Sequence, residues 1–150
     1  MIKLTQTDDM DLVNEILSHP GLPRACLAQL EDGNLTSTCT HLLVHNEEGV
    51  LVGLMSCREV NSIIIEAHTT VLPEFWGTGI GDELGYAFRD ELLAVTKYRH
   101  ILTYVPNTEK HVINYLYSKD FKLVGSIPRG TEVNGQKVTL LIFNLEIKRA

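Results

Sequence analysis

The chain has 150 residues, 44% hydrophobic and 21% charged, which fits one globular domain with a full core. A formal net charge of -6 argues against nucleic acid or an anionic membrane surface as the main partner and suits a cationic or amine-bearing substrate. Three cysteines in no metal spacing, and a first segment without a secretion signal, indicate a reduced, cytoplasmic protein without a metal site.

The first elements are predicted from capping residues and apolar spacing. Residues 2–5 are predicted as a short strand, and Thr7-Asp8-Asp9 supplies the cap and first-turn acids of a helix. Pro20 and Pro23 end this helix. A second short helix is expected over residues 24–30.

Three strands follow as an antiparallel meander. Residues 40–45 and 50–57 alternate and are joined by a turn at 46–49. Asn61-Ser62 then turns the chain into a third strand over residues 63–72, whose alternation places successive side chains on opposite faces.

A glycine-rich segment over residues 71–82, V-L-P-E-F-W-G-T-G-I-G-D, joins this strand to a helix predicted over residues 79–95. Gly77, Gly79 and Gly81 lack Cβ atoms, so backbone N–H groups can converge at the start of the helix. Such a turn is typical of an anion site.

Two familiar nucleotide-binding patterns do not fit this segment. No Gly-Lys-Ser/Thr sequence ends it, as a nucleoside-triphosphate loop requires. A dinucleotide fingerprint would need glycine where Asp82 and Leu84 stand.

The remaining elements alternate strand and helix before a final hairpin. Residues 100–105 are predicted as a buried strand, 109–118 as a helix, and 121–127 and 138–147 as strands. Asn134-Gly135 is a strong hairpin turn between the last two strands. The predicted order is βααβββαβαββ, a mixed α/β arrangement.

The pattern V-x-P-x-x-W-G-x-G-I-G resembles motif A of the GNAT (GCN5-related N-acetyltransferase) family of acyl-CoA-dependent N-acyltransferases. The matching residues are Val71, Pro73, Gly77, Gly79, Ile80 and Gly81. Trp76 stands where the family has Arg or Gln. Residues 105–125 resemble the second signature of the family, but Asp120 replaces the usual glycine before Phe121 and the tyrosines are displaced by one residue.

The resemblance covers nearly the whole chain and implies its architecture. We expect an α/β (α+β) GNAT-like fold, in which a central mixed, mostly antiparallel sheet of about seven strands is flanked by about four helices. Residues 1–150 would form one domain.

The resemblance implies acetyl-CoA as co-substrate, with its pyrophosphate on the amides of residues 77–81. A backbone N–H that maps to Val71 or Leu72 would polarise the thioester carbonyl. The predicted coenzyme A contacts are Val71, Leu72, Trp76, Gly77, Thr78, Gly79, Ile80, Gly81, Asn107 and Tyr115.

Candidate catalytic groups come from a helix and a strand. The family uses a helical tyrosine to protonate the departing thiolate; Tyr115 and Tyr117 lie about 200° apart on their helix, and we favour Tyr117. Glu66 and His68 share a strand face and could deprotonate the amine, with Glu66 as the base and His68 as its partner or a water-holder. Alternatively, both are polar groups satisfied on a sheet face.

These features predict an N-acyltransferase that moves an acetyl group to a primary amine of a small molecule or peptide by direct attack in a ternary complex. Two alternatives remain within catalysis: another acyl group, or a protein N-terminus or lysine as acceptor. Outside catalysis, Trp76, Asp120 and the displaced tyrosines are compatible with a GNAT-shaped binding or structural module. We expect neither nucleic acid nor membrane as partner, and a homodimer is left open.

Overall fold

The computed structural model describes residues 1–22, 39–94 and 97–148. The predicted helix over residues 24–30 lies outside them. The described elements, in chain order, are β1 (Lys3–Thr7), α1 (Met10–Leu17), β2 (Thr40–His45), β3 (Leu51–Glu59), β4 (Ile64–Val71), α2 (Ile80–Ala94), β5 (His100–Pro106), α3 (Lys110–Ser118), β6 (Lys122–Val133) and β7 (Gln136–Glu146). Within those ranges, no helix combines the length and apolar character needed to cross a membrane.

The described strands form one seven-stranded sheet in the order β1-β2-β3-β4-β5-β7-β6. The pair β4–β5 is parallel, and the other neighbouring pairs are antiparallel. The predicted fold class, a mixed and mostly antiparallel sheet flanked by helices, is therefore confirmed.

The helices cover opposite faces of this sheet. On β3, Met55 packs into the core cluster that contains the buried residues of α2, whereas its neighbour Leu54 packs against α1. Because adjacent strand residues point to opposite faces, α1 and α2 lie on opposite sides. Leu116 of α3 packs with Phe143 of β7, which lies on the α2 side. The two sides are called the α1 face and the α2 face below.

The last hairpin shows the largest difference from the predicted boundaries. β6 was predicted to end at residue 127 but continues to Val133, with an irregular register between Ile127 and Thr131. The predicted turn is confirmed, since Asn134 and Gly135 have φ angles of 51° and 80°, as a two-residue hairpin turn with two positive φ angles requires.

A gap opens between the two parallel strands. β4 pairs with β5 at Ile64–His100, Ile65–Ile101 and Glu66–Leu102, and the two strands are not paired with each other beyond that point. β4 stays paired with β3 along the same stretch, as far as Val71 opposite Gly53. The carboxyl-terminal half of β4 therefore exposes one backbone edge, which we call the β4–β5 gap.

Candidate functional site

The backbone of β4 presents its polar groups to the gap at alternate residues. The Leu72 N–H donates to the Val52 carbonyl at 2.9 Å, so this amide is engaged on the β3 side. Consecutive strand residues direct their N–H groups to opposite edges, and the Val71 amide therefore faces the gap. Of the two amides predicted to polarise a carbonyl, the geometry leaves Val71 in position.

The glycine-rich loop follows β4 through a short 3-10 turn, Pro73–Phe75. Gly77 and Gly79 have φ angles of 78° and 85°, a region where a side chain would be strained. Thr78 lies between them and donates its hydroxyl to the Phe75 carbonyl, which closes the turn.

Several loop amides are not used by the fold. Among the described residues, the N–H groups of Gly77, Gly79, Ile80 and Gly81 have no backbone acceptor. The last two lie in the first turn of the 15-residue helix α2, where free amides and the helix dipole favour an anion. The backbone here is suited to a phosphate group.

Trp76 folds back over the end of β4. Its indole Nε1 donates to the Val71 carbonyl at 2.8 Å, and its ring centroid is 6.1 Å from that of His111, at the start of α3. The side chain is half exposed. The indole is therefore hydrogen-bonded to the carbonyl of Val71, the residue whose amide faces the β4–β5 gap.

Tyr115 connects α3 to the first turn of α2. Its hydroxyl donates to the Gly81 carbonyl at 2.7 Å. A Cβ atom added at Gly85 would lie 2.7 Å from the Tyr115 hydroxyl oxygen. Burial, with a smaller contribution from Asp82, raises the pKa of Tyr115. Gly85 thus makes room for a tyrosine that braces the loop predicted to hold coenzyme A.

Tyr117 lies elsewhere on α3. Its ring meets the edge of Phe143 at a centroid distance of 5.4 Å and an interplanar angle of 80°, and its side chain is exposed. Its hydroxyl makes no hydrogen bond within the described chain, and its ring packs on Phe143 on the α2 face, on the other side of the sheet from Glu66 and His68. The structure therefore brings Tyr115 to the loop but does not bring Tyr117 to the predicted base.

Glu66 and His68 lie together on the α1 face, as predicted, and are joined by a third residue. The Glu66 carboxylate accepts from Arg58 Nη2 at 3.0 Å and lies 2.8 Å from His68 Nε2. Its side chain is only 2% exposed. Burial disfavours the charged form, but His68 and Arg58 outweigh it and hold the pKa of Glu66 below its ordinary value.

The hydrogen bond assigns the tautomer of His68. A carboxylate can only accept, so Nε2 carries the hydrogen and donates it to Glu66. Whenever the ring is neutral, its Nδ1 atom therefore keeps a lone pair. His68 thus combines a carboxylate behind one nitrogen with a proton acceptor at the other.

Tyr104 and Arg58 were not predicted as site residues. The Tyr104 ring stacks on His68 at 6.1 Å and 29°, and burial, followed by the charge of Glu66, raises the pKa of Tyr104. A two-residue turn at Asn61-Ser62 would pair residue 58 with residue 65, but the observed register pairs Arg58 with Glu66, so the predicted turn did not reveal Arg58. Tyr104 follows from the register of two strands that are distant in sequence, for which no local signal exists.

Asn107 extends the β5–β7 pairing, since its N–H donates to the Thr139 carbonyl at 2.9 Å. Its side chain makes no hydrogen bond with a described residue. On the α1 face, Asn144 Nδ2 lies 3.2 Å from His100 Nδ1, while the buried Asn144 Oδ1 has no hydrogen-bond partner among the described residues. Within the described ranges, no three His, Cys, Asp or Glu side chains are grouped as a metal site would require.

Solved structures share this fold at low sequence identity. The spermidine/spermine N-acetyltransferase SpeG from Vibrio cholerae matches with a TM-score of 0.78 and 14% identity over 97% of this chain and 94% of that chain. A putative phosphinothricin N-acetyltransferase matches with a TM-score of 0.70 and 15% identity over 99% and 100%. These similarities confirm the predicted GNAT fold.

A comparison of the sequence with protein-family models assigns the chain to a family. A family model described as "Protein of unknown function (DUF2824)" matches residues 2–149. No curated protein sequence matches the chain.

Proposed function

Because the chain belongs to the DUF2824 family and has the GNAT fold, we propose that it is an N-acyltransferase that moves an acetyl group from acetyl-CoA to a primary amine. The β4–β5 gap is the observation that carries this proposal. It has the Val71 amide on its edge, the free loop amides beyond its end and the His68–Glu66 pair on its α1 face.

The loop fits the pyrophosphate of coenzyme A. The unused amides of Gly77, Gly79, Ile80 and Gly81 supply donors at a helix N-terminus. Asp82 in the same turn would repel an anion, but Lys119 Nζ lies 2.7 Å from its carboxylate and offsets that charge. When bound, acetyl-CoA supplies a thioester whose carbonyl carbon is open to attack by an amine.

The geometry of the gap supports a proposal for the polarising donor and for the base. The Val71 amide would hydrogen bond to the thioester oxygen as negative charge develops there. His68 Nδ1 would take the proton from the attacking amine, while Glu66 holds Nε2–H and stabilises the resulting imidazolium. This order reverses the sequence-based expectation of Glu66 as base, because its lowered pKa and its two engaged oxygens make Glu66 a poor proton acceptor.

We keep Tyr117, the residue favoured from the sequence, as the proposed group that returns a proton to the thiolate. The Tyr115 hydroxyl already donates to the Gly81 carbonyl, whereas the hydroxyl of Tyr117 has no partner in the described chain. Tyr117→Phe should then lower turnover on the order of 100-fold at unchanged acetyl-CoA affinity.

Calorimetry with acetyl-CoA tests the proposal, using two matched glycine variants. Gly79 and Gly49 have nearly equal φ angles of 85° and 79°, and neither has an atom within 4 Å of an added Cβ. Gly79→Glu places a negative charge at the proposed phosphate site, and Gly49→Glu places one in the remote β2–β3 turn. We expect binding to the parent and to Gly49→Glu and a loss of at least about 100-fold in Gly79→Glu.

Three results would contradict parts of this function. Absence of heat with the parent would exclude a coenzyme A enzyme. Equal affinity in both glycine variants would remove the loop as the binding site. Acetyl-CoA binding without free-thiol release across a broad panel of amines would favour the binding-module alternative. Loss of turnover in His68→Gln, with acetyl-CoA affinity retained, would support the proton path.

A further inference from the structure

We infer that the amine acceptor also carries an anionic group, a carboxylate or phosphate, which Arg58 binds. This inference rests on the proposed function, since it concerns the second substrate of the same site. It names the acceptor class, amino-acid-type molecules, and a residue that selects it.

Arg58 has donors to spare beside the proposed base. A guanidinium offers five N–H donors in a planar fork. Arg58 uses Nη2 for Glu66 at 3.0 Å, and its side chain remains 41% exposed. The other donors have no partner in the described chain. A planar anion can therefore bind to Arg58 while its bond to Glu66 persists.

The spacing suits a small bifunctional molecule. Arg58 lies directly opposite Glu66 across the β3–β4 pair, and Glu66 lies two residues before His68 on the same face. Two strand residues span roughly 6–7 Å. An acceptor with its amine at His68 and its anionic group at Arg58 is then a small bifunctional molecule.

The charges on this face disfavour a purely cationic acceptor. Recognition of a polyamine requires carboxylates that lack a cationic partner, but the buried carboxylate here, Glu66, is already paired with Arg58. The other titratable side chains on the described strands of this face include Tyr104, His41 and His100, and the charged residues Lys3, Lys122 and Glu146, which lie outside the Arg58–Glu66–His68 group. A second ammonium group would meet a guanidinium, and an anionic group would be attracted to it.

Acceptor pairs that differ only in the anionic group provide the test. Lysine is compared with cadaverine, histidine with histamine, and phosphoethanolamine with ethanolamine, by kcat/KM in a free-thiol assay at saturating acetyl-CoA. We expect the anionic member of at least one pair to be preferred by tenfold or more. The first two pairs report a carboxylate and the third a phosphate.

Variants separate anion binding from support of Glu66. Arg58→Gln should bring the ratio of the two kcat/KM values within each pair close to one. Arg58→Lys should keep part of the preference for the anionic member. A role limited to holding Glu66 and His68 would lower activity equally for both members and leave the ratio unchanged. Since Arg58→Gln removes the charge that pairs with a buried carboxylate, the charge-retaining Arg58→Lys serves as the folded comparison.

The outcomes also separate this inference from the proposed function. If kcat/KM for cadaverine, histamine and ethanolamine equals that of their anionic counterparts, the inference is overturned and the proposed function stays intact. Absence of acetyl-CoA binding would overturn the function itself. If coenzyme A binds but no amine in the panel turns over, calorimetry of the same pairs with the coenzyme A-bound protein decides. Equal or absent binding within every pair overturns the inference.

Discussion

Glu66→Gln removes one negative charge from the centre of the candidate site and leaves the shape of the side chain almost unchanged. In the parent, the carboxylate accepts a hydrogen bond from Arg58 and another from His68. Glutamine keeps one carbonyl oxygen and replaces the other by an NH2 group, which cannot accept from either partner. The variant therefore loses one charge-assisted bond outright and the charge from the other.

The expected loss of stability follows from burial. A hydrogen bond to a charged group contributes about 1.5–3 kcal/mol when buried, and Glu66 is 2% exposed. The Arg58 side chain is 41% exposed, so water can replace much of what that residue loses, and its share is smaller. We expect the free energy of unfolding at pH 7 to fall by about 2–3 kcal/mol.

The pH dependence identifies the carboxylate as the cause. The folded-state pKa of Glu66 is lowered, so its contribution is complete above the unfolded value, about 4.3, and is lost as the pH falls through the lower folded value. Urea unfolding at several pH values should show parent and variant converging below about pH 4.

Glu48→Gln is the matched control, because Glu48 is an exposed acid in the β2–β3 turn. We expect it to change the unfolding free energy by less than about 0.5 kcal/mol at every pH. Parent-like stability of Glu66→Gln at pH 7 would refute the reasoning. So would a loss that persists unchanged at acid pH.

Three further predictions test the backbone around the site. An alanine Cβ at Gly53 would lie 2.4 Å from the Thr70 carbonyl oxygen; Gly53→Ala should therefore lower the unfolding free energy in urea by about 1–3 kcal/mol or more. In Gly85→Ala the added carbon would meet the movable end of Tyr115, so acetyl-CoA affinity should fall more than stability, and Tyr115→Phe should reproduce the fall. Trp76 is the one tryptophan of the chain, and its fluorescence should change when acetyl-CoA displaces the indole from the Val71 carbonyl; constant emission at saturation would mean that the indole stays.

Signals close together in sequence predicted most of the fold. The alternating strands, the glycine-rich turn and Asn134-Gly135 are local, and their elements appear within a few residues of the predicted ends. β6 is the exception: it was predicted to end at residue 127, but its pairing with β7 continues to Val133. The α1 face of β4 was predicted from simple alternation, which placed Glu66 and His68 together.

The parts that sequence could not supply depend on pairing between distant segments. Whether Val71 or Leu72 offers its amide to the gap depends on which one bonds to Val52 across the β3–β4 pair. Tyr104 meets His68 through the register of β4 and β5, which are separated by α2. Neither relation leaves a local pattern in the chain.

The turn after α3 explains why Asp120 can replace the glycine of the GNAT pattern. Asp120 stands where the pattern has glycine, and it adopts the left-handed φ of 69° that glycine takes without strain. The turn is thus retained, and the Phe121 N–H closes on the Leu116 carbonyl at 3.0 Å.

The displaced tyrosines follow from the same helix. Leu116 points into the core between Val105 and Phe143, so Tyr115 and Tyr117 lie about 100° to either side of it. On one side of Leu116, the Tyr115 hydroxyl donates its proton to the Gly81 carbonyl. On the other side, Tyr117 is exposed, and its hydroxyl has no hydrogen-bond partner within the described chain. The proposed division of roles between a bracing Tyr115 and a proton-donating Tyr117 therefore depends on which residue of the three fills the core.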